Sequence, residues 1–288
     1  MNHKVAASVI LYNADESVVD NIKSYIDYID FLYVVDNGNS EKVINILATM
    51  FPDKQKIIKH TENFGIARSL NEVLRDAYDK FDLLLTMDQD SRFYNENMRI
   101  YRNEVNKFDW NKTLALGASV VGYDFVSSDD VQIVWKPTEC MMITSGNIIS
   151  VKNTLSIGGF NEELFIDEVD SEFIYRGRKA NFDVIINVSG IYLLHSLGNP
   201  SFHKLLGHIT KVQNHNKIRK YYIFRNRLVV LSRYWKFIGF KRSWNCYIKA
   251  NLDLIRDVIF FEDDKNEKLK YIILGLKDFL TNRLGKRF

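Results

Sequence analysis

The chain has 288 residues, 46% of them hydrophobic and 26% charged, with three prolines, two cysteines and a formal net charge of +3. Such a length and apolar content exclude a disordered tail and a disulfide-stapled miniprotein, and predict one large α/β domain or one domain with an appendage. Cys140 and Cys246 stand far apart without metal-type spacing, which points to a reducing, cytosolic setting, and no apolar run approaches the roughly 20 residues of a membrane-spanning helix.

Lys4 followed by the apolar run Val5 to Tyr12 has the look of a short signal peptide. No small-residue cleavage site follows, and Asn13 to Ser17 reads instead as a loop into a helix. Val5 to Leu11 is a strand pattern. Val18, Val19, Ile22, Tyr25, Ile26 and Ile29 then recur at helical spacing. Phe31 to Val35 is a second buried-type strand, ending at Asp36-Asn37-Gly38, with a helix marked by Val43, Ile44, Leu47 and Met50. Lys56 to Lys59 gives a third strand. Asn63-Phe64-Gly65 opens a helix with Ile66, Leu70, Val73, Leu74 and Ala77 on one face, and Leu83 to Met87 forms a fourth strand that stops at Asp88. Strands alternating with helices predict a parallel sheet covered on both faces, with ligands bound at the carboxyl ends of its strands. The search for function therefore centres on Asp36, on residues 63–71 and on Asp88.

Beyond Asn97 the pattern predicts a helix around Met98 to Phe108, strand-like pieces at Thr113 to Val121 and Val131 to Trp135, and a further element over Met141 to Val151. Residues 157–161 read as a turn, Glu168 to Lys179 as a helix, and Val184 to Val188 and Ile191 to Leu194 as strands. Past Ser196 the reading is mostly helix. Charge is uneven: residues 217–288 hold 18 Lys and Arg against 7 Asp and Glu, and residues 1–216 hold 21 against 29. A basic end suits nucleic acid, anionic lipid or a phosphate-bearing ligand equally, so charge does not choose among them.

Asp88-Gln89-Asp90 follows an apolar strand. Alternation in an extended triplet puts both carboxylates on one side, where they can share a hard cation such as Mg²⁺ or Mn²⁺ and the phosphates it bridges. A solvated turn with Asp side chains capping nearby amides is the plainer explanation of an isolated Asp-X-Asp. The triplet has company, however, in Val34-Val35-Asp36-Asn37, Asn63-Phe64-Gly65-Ile66-Ala67, Met87-Asp88-Gln89-Asp90-Ser91 and residues 165–172. His195-Ser196-Leu197-Gly198 and Arg219-Lys220-Tyr221-Tyr222 before Arg225-Asn226 complete the set. In this order, over about residues 5–235, the chain resembles the inverting glycosyltransferases of family 2, and within them is most similar to bacterial rhamnosyltransferases.

The resemblance implies a GT-A (Rossmann-like) α/β fold, with a mixed, mainly parallel sheet flanked by helices and a C-terminal helical extension. It implies a nucleotide-sugar-binding and catalytic domain over residues 1–205 and a basic, aromatic-rich helical region over 206–288. Asp36 would accept the N3–H of a uracil or thymine ring, unless it only closes an Asx turn. Asn63, Gly65 and Arg68 would line the same pocket, Gly65 by allowing close backbone approach at a helix N-terminus and Arg68 either there or as a solvated helix residue. Asp90 would be the direct metal ligand, Asp88 would support the ribose or the metal's water shell, and His195 would supply a third ligand.

Asp170 would be the general base, with Asp167 and Glu172 as competitors; Glu172 faces elsewhere on a helix, and Asp167 shares a face one turn earlier. Tyr222, Arg225 and Asn226 would close over the donor diphosphate, Arg225 by paired charge-assisted bonds, with Arg219 undecided between that task and a basic helix face. Phe173 departs from the Trp that many rhamnosyltransferases carry. The implied activity is metal-dependent, inverting transfer of L-rhamnose from dTDP-β-L-rhamnose to a hydroxyl of a bacterial cell-surface polysaccharide or its lipid-linked precursor. The alternatives are a UDP-hexose or UDP-galactofuranose donor and, from another class, a non-catalytic nucleotide-sugar or glycan-binding module. The partners expected are a nucleotide-sugar and a glycan or lipid-linked acceptor, and not nucleic acid. Residues 233–244 mix cations with Trp and Phe as an interfacial helix does, which suits a cytoplasmic protein peripheral to the inner face of the membrane; packing within the chain or in a homodimer is the alternative.

Overall fold

Strand β1 (Val5–Leu11) is buried along nearly its whole length, and its residues alternate between two cores: Val5, Ala7, Val9 and Leu11 point to one side of the sheet and Ala6 to the other. Covered faces on both sides are what an uninterrupted apolar strand demands. The computed structural model describes residues 3–126, 132–138, 142–195, 200–205 and 208–288. Cys140, Ser196-Leu197-Gly198 and residues 127–131 lie outside the described residues.

The first half alternates strand and helix: α1 (Ser17–Lys23), β2 (Phe31–Asp36), α2 (Glu41–Met50), β3 (Gln55–Lys59), α3 (Ile66–Ala77) and β4 (Leu83–Asp88). A reversal leads to β5 (Ser91–Phe93) and α4 (Asn97–Glu104). Then come β6 (Thr113–Gly117), β7 (Ser119–Val121), β8 (Val134–Pro137), β9 (Asn147–Ser150), α5 (Val151–Ser156), α6 (Val169–Lys179), β10 (Asp183–Ser189) and β11 (Tyr192–His195). The main sheet has eight strands in the order β3-β2-β1-β4-β9-β6-β10-β8. Pairs β1–β2, β1–β4, β2–β3 and β6–β10 are parallel, whereas β9 runs antiparallel to β4 and β6, and β8 antiparallel to β10. The fold is mixed α/β with a large, mainly parallel sheet between helices, as expected. A separate three-stranded sheet, β5-β11-β7, pairs His195 with Ser91 beside the Asp88-Gln89-Asp90 triplet.

Two sequence expectations change. The helix read over residues 18–29 ends at Lys23 and is followed by a single 3₁₀ turn, Ile26–Tyr28. The reading of mostly helix past Ser196 gives way to a hairpin of β12 (Ser201–Leu205) and β13 (His208–Val212). Its sequence alternates Phe202 and Lys204 with Ser201 and His203, a period of two that a basic-aromatic composition hides.

Helices α7 (Lys217–Ile238), α8 (Phe240–Ser243), α9 (Ala250–Phe260) and α10 (Lys265–Leu280) follow, with a π-helical segment at Trp244–Lys249. Val229, Val230 and Tyr234 of α7 enter the core formed by α3 and α6. Helix α10 lies along α7 so closely that a Cβ on Gly275 would stand 2.9 Å from the Tyr221 carbonyl. A buried triad ties the helices together: Lys220 and Lys268 donate to the two oxygens of the fully buried Glu262 at 2.5 and 2.9 Å. Desolvation holds the Lys220 ammonium below its ordinary range despite this partner. Glu262→Gln strands two buried cations and is expected to lower stability by about 3–5 kcal/mol, read as a shifted urea midpoint. An unchanged midpoint would show the triad to be dispensable.

Candidate active site

The acidic triplet is a turn rather than an extended segment. Asp88 ends β4, Gln89 and Asp90 reverse the chain, and Ser91 begins β5. The turn is pinned on both sides: Tyr12 N–H donates to Gln89 Oε1 at 2.8 Å, Asn21 Nδ2 to the Gln89 carbonyl at 2.8 Å, and Asp88 N–H to Ser145 Oγ at 2.9 Å. Tyr123 adds a bond from its hydroxyl to the Asp90 carbonyl at 2.9 Å. Strand register then delivers the imidazole, because β5 pairs antiparallel with β11 so that Ser91 faces His195. His195 Nδ1 lies 2.8 Å from Ser91 Oγ and 3.4 Å from Asp90 Oδ1.

Asp88, Asp90 and His195 can thus present three ligand atoms all within 4.8 Å of one another. Burial, with the neighbouring Asp90 charge, pushes the Asp88 carboxyl up to about 6, and the Asp90 carboxylate, accepting from the His195 ring, raises that imidazole. Two carboxylates crowded against each other and a nitrogen donor fit a divalent cation that favours oxygen with one imidazole. These three residues form a possible metal site.

Asp170 stands in the first turn of α6, partly buried. It shares the wall of a small cavity with Thr86, two residues before Asp88 on β4, and with Thr144 and Phe173. Desolvation, reinforced by the nearby Glu168, pushes its carboxyl up to about 7. One oxygen accepts the Ser171 N–H at 2.7 Å. The competitors are otherwise engaged. Glu172 is buried, paired with Arg176 at 2.9 Å and accepting the Tyr234 hydroxyl at 2.8 Å. Asp167 does not share a helix face with Asp170, because α6 begins only at Val169 and Asp167 precedes it in a left-handed conformation, φ 61°.

That approach to α6 is strained. Phe165 takes φ 63°, ψ −61° at the centre of a tight turn, with Ile166 N–H donating to the Leu164 carbonyl at 2.7 Å, and Asp167 and Glu168 also have positive φ. The Phe165 carbonyl accepts the Ile66 N–H at 3.0 Å, joining this loop to the start of α3. Gly65 makes the approach feasible: it has φ +81°, and a Cβ there would lie 2.5 Å from the Phe165 oxygen. Gly65→Ala is expected to cost about 1–3 kcal/mol in chemical unfolding, through backbone strain and this clash. Wild-type stability in that variant would contradict the close packing.

On the other side of α3's start, Asp36 ends β2, buried, with Oδ1 accepting the Gly38 N–H at 2.9 Å. It does close an Asx turn, and this bond uses one oxygen only. Asn63 Oδ1 accepts the Gly65 N–H at 2.8 Å, and the exposed Arg68 guanidinium stacks 3.9 Å over the Phe64 ring. A network not foreseen from sequence supports these groups. Asn37 Oδ1 lies 2.7 Å from His60 Nδ1 and 3.2 Å from Ser69 Oγ, and His60 Nε2 is 2.8 Å from Glu72. Asp36 through Asn37, and Phe64 beside His60, are thereby braced by one buried imidazole. The only sequence signal was its place between a strand and the Asn-Phe-Gly motif.

The expectation for α7 needs correction. Arg225 is fully buried and its guanidinium donates to Asn226 Oδ1, the Tyr221 hydroxyl and the carbonyls of Gly285, Glu163 and Leu164 at 2.9–3.4 Å. Asn226 Nδ2 donates to the carbonyls of Leu164, Ile166 and Asp167 at 2.7–3.1 Å, and Tyr222 stacks on Phe165 with centroids 5.0 Å apart. All three side chains brace the strained loop and leave no exposed face to a diphosphate in this conformation. A cation that does reach the Asp88–His195 cluster is Arg219, half exposed, which bonds Asp167 Oδ1 at 3.2 Å and whose charge acts on Asp88 and His195.

The chain is similar to known proteins in sequence and in fold. The family described as Glycosyl transferase family 2 matches residues 8–140. A curated relative, the dTDP-rhamnosyl transferase RfbF of Shigella flexneri, is 25% identical over 264 residues, 81% of each chain. Among solved structures, the chain is similar to the mannosyltransferase PcManGT from Pyrobaculum calidifontis in complex with GDP-Man and Mn²⁺, with a TM-score of 0.56 and 14% identity over 98% of this chain and 76% of that one. It is also similar to S. aureus TarS 1-349 in complex with UDP-GlcNAc, with a TM-score of 0.59 and 13% identity over 96% and 81%. These neighbours are GT-A glycosyltransferases and share the fold.

Proposed function

We propose that the protein, whose residues 8–140 match the glycosyltransferase family 2 model and whose fold is shared with GT-A glycosyltransferases, is a metal-dependent, inverting glycosyltransferase that moves L-rhamnose from dTDP-β-L-rhamnose to a hydroxyl of a bacterial surface glycan or its lipid-linked precursor. The observation that carries the reading is the convergence of Asp88, Asp90 and His195 on one point, with Asp170 on the wall of a cavity that Thr86 of the same strand also lines. The rhamnosyl donor rests on the RfbF relative and on the free Asp36 oxygen, which suits the N3–H of thymine and of uracil alike.

Asp88, Asp90 and His195 would hold Mn²⁺ or Mg²⁺, which supplies charge neutralisation for the departing diphosphate. Arg219, released from Asp167, would bond a phosphate oxygen beside them. Asp170 takes the proton of the acceptor hydroxyl as its oxygen bonds the anomeric carbon and the bond from that carbon to the diphosphate breaks, so the nucleoside diphosphate leaves with its negative charge. Burial keeps the base protonatable near neutral pH, and the α6 N-terminus and the strained loop fix its position. No described helix is long and apolar enough to cross a membrane. The exposed Trp235, Phe237, Phe240 and Trp244 near Lys236 and Lys241 support peripheral contact at the inner face of the membrane.

The test is calorimetric titration with dTDP, UDP and GDP, each with and without Mn²⁺. Tightest binding of dTDP, strengthened by the metal, is expected; preference for UDP would move the donor to a UDP-hexose, and no nucleotide binding would defeat the reading. Asp90→Asn should weaken dTDP binding about tenfold or more in Mn²⁺ and leave metal-free binding as it is. Equal loss without metal would take Asp90 out of the metal centre.

A further inference from the structure

From Val184 to Leu252 the chain runs 69 residues without one Asp or Glu, and the same stretch holds 12 Lys and Arg. The β12–β13 hairpin lies within it, beginning six residues after His195. Its register opposes Phe202 to Lys211, Lys204 to Ile209 and His203 to Thr210. Alternation therefore sorts the side chains onto two faces. The inner face is anchored: Val212 is buried, the His203 ring stacks on Phe261 with centroids 4.8 Å apart, and Ser201 Oγ lies 2.7 Å from His203 Nε2 and accepts Asn214 Nδ2 at 2.9 Å. That anchoring turns Phe202, Lys204, Ile209 and Lys211 outward together. Phe202 is 67% and Ile209 76% exposed, and both lysines are exposed.

We propose that this outer face is a membrane contact of its own, which inserts Phe202 and Ile209 among anionic phospholipid headgroups while Lys204 and Lys211 pair with the phosphates. An aromatic and an aliphatic side chain set diagonally between two cations match a surface that is apolar below and anionic above. No carboxylate flanks the hairpin in sequence; of the three that follow Phe261, on which His203 stacks, Glu262 is paired with Lys220 and Lys268, and Asp263 and Asp264 are exposed. The hairpin leads into α7, whose first turn carries Arg219, so the contact would bring the Asp88–His195 cluster toward the lipid surface. In that respect it deepens the reading of a lipid-linked acceptor, although its test involves no transfer.

The full chain is sedimented with vesicles of phosphatidylcholine alone and with 30% phosphatidylglycerol, at low and at moderate salt. Binding to the anionic vesicles, weakened by salt and small on the neutral ones, is expected. Phe202→Ser with Ile209→Ser, and separately Lys204→Gln with Lys211→Gln, should each weaken it about tenfold. Both pairs lie on a solvent face, so thermal unfolding and whatever nucleotide titration the wild type shows should be unchanged. The proposal is overturned if the wild type ignores anionic vesicles. It is equally overturned if both hairpin pairs bind as wild type while Trp235→Ser with Phe240→Ser does not, or if the apolar pair only converts a dimer to monomers in light scattering. Failure of nucleotide binding would remove the transferase reading and leave the vesicle result standing.

Discussion

Asp170→Asn is expected to lower turnover by about 10²–10⁴-fold while dTDP still binds in Mn²⁺, because the amide keeps the shape of the side chain and loses the proton acceptor. Since burial, with Glu168 beside it, holds this carboxyl at about 7, the wild-type rate should climb with pH through that value as the base ionises, then level off. Stability runs the other way. The folded state keeps its proton to higher pH than the unfolded chain does, so the contribution of this group is full below the unfolded value of 3.8 and is lost as pH rises through about 7. The Asn variant should therefore be at least as stable as wild type at pH 8, a functional site held at a cost to the fold. Turnover and urea midpoints of both proteins over pH 5–9 decide it. Wild-type turnover in the variant would remove Asp170 from the reaction, and a flat wild-type profile would leave it without a base's signature.

The first half of the fold was legible because each strand is a short apolar run and each helix carries one apolar stripe, with Asp36, Gly65 and Asp88 punctuating the ends. The residues proposed to hold a metal were legible as residue types, but their meeting does not come about as the sequence suggested. Asp88 and Asp90 meet across a turn, and His195 reaches them through the register of β5 with β11, a pairing between positions about 100 residues apart that no local pattern encodes. The bracing network of Asn37, His60 and Glu72 was invisible for the same reason. The hairpin at residues 201–212 was lost to composition, its two-residue period lying inside a stretch whose Lys and aromatic content suggests helix.

Arg219 and Arg225 show most plainly what a helical sequence withholds, since both are arginines of one helix beside tyrosines and only burial separates them. Arg225→Met should therefore behave as a folding variant. Five hydrogen bonds are lost; the Glu163 and Leu164 carbonyls keep the Gly285 N–H and Asn226 Nδ2, and the Gly285 carbonyl loses its buried donor, at about 1–3 kcal/mol for that group alone. A fall in stability of about 3 kcal/mol or more is expected, with turnover falling because the loop carrying Asp167 to Asp170 has lost its support. Arg219→Ala should divide the two readouts differently. Its half-exposed ion pair with Asp167 contributes little to stability, so the urea midpoint should move slightly, while affinity for dTDP in Mn²⁺ drops about tenfold or more with the loss of a charge-assisted phosphate bond. Measured side by side, midpoint and affinity assign each guanidinium. If Arg225→Met folded with wild-type stability and lost only nucleotide affinity, the diphosphate would belong to Arg225 after all, and the buried conformation described here would have to open on donor binding.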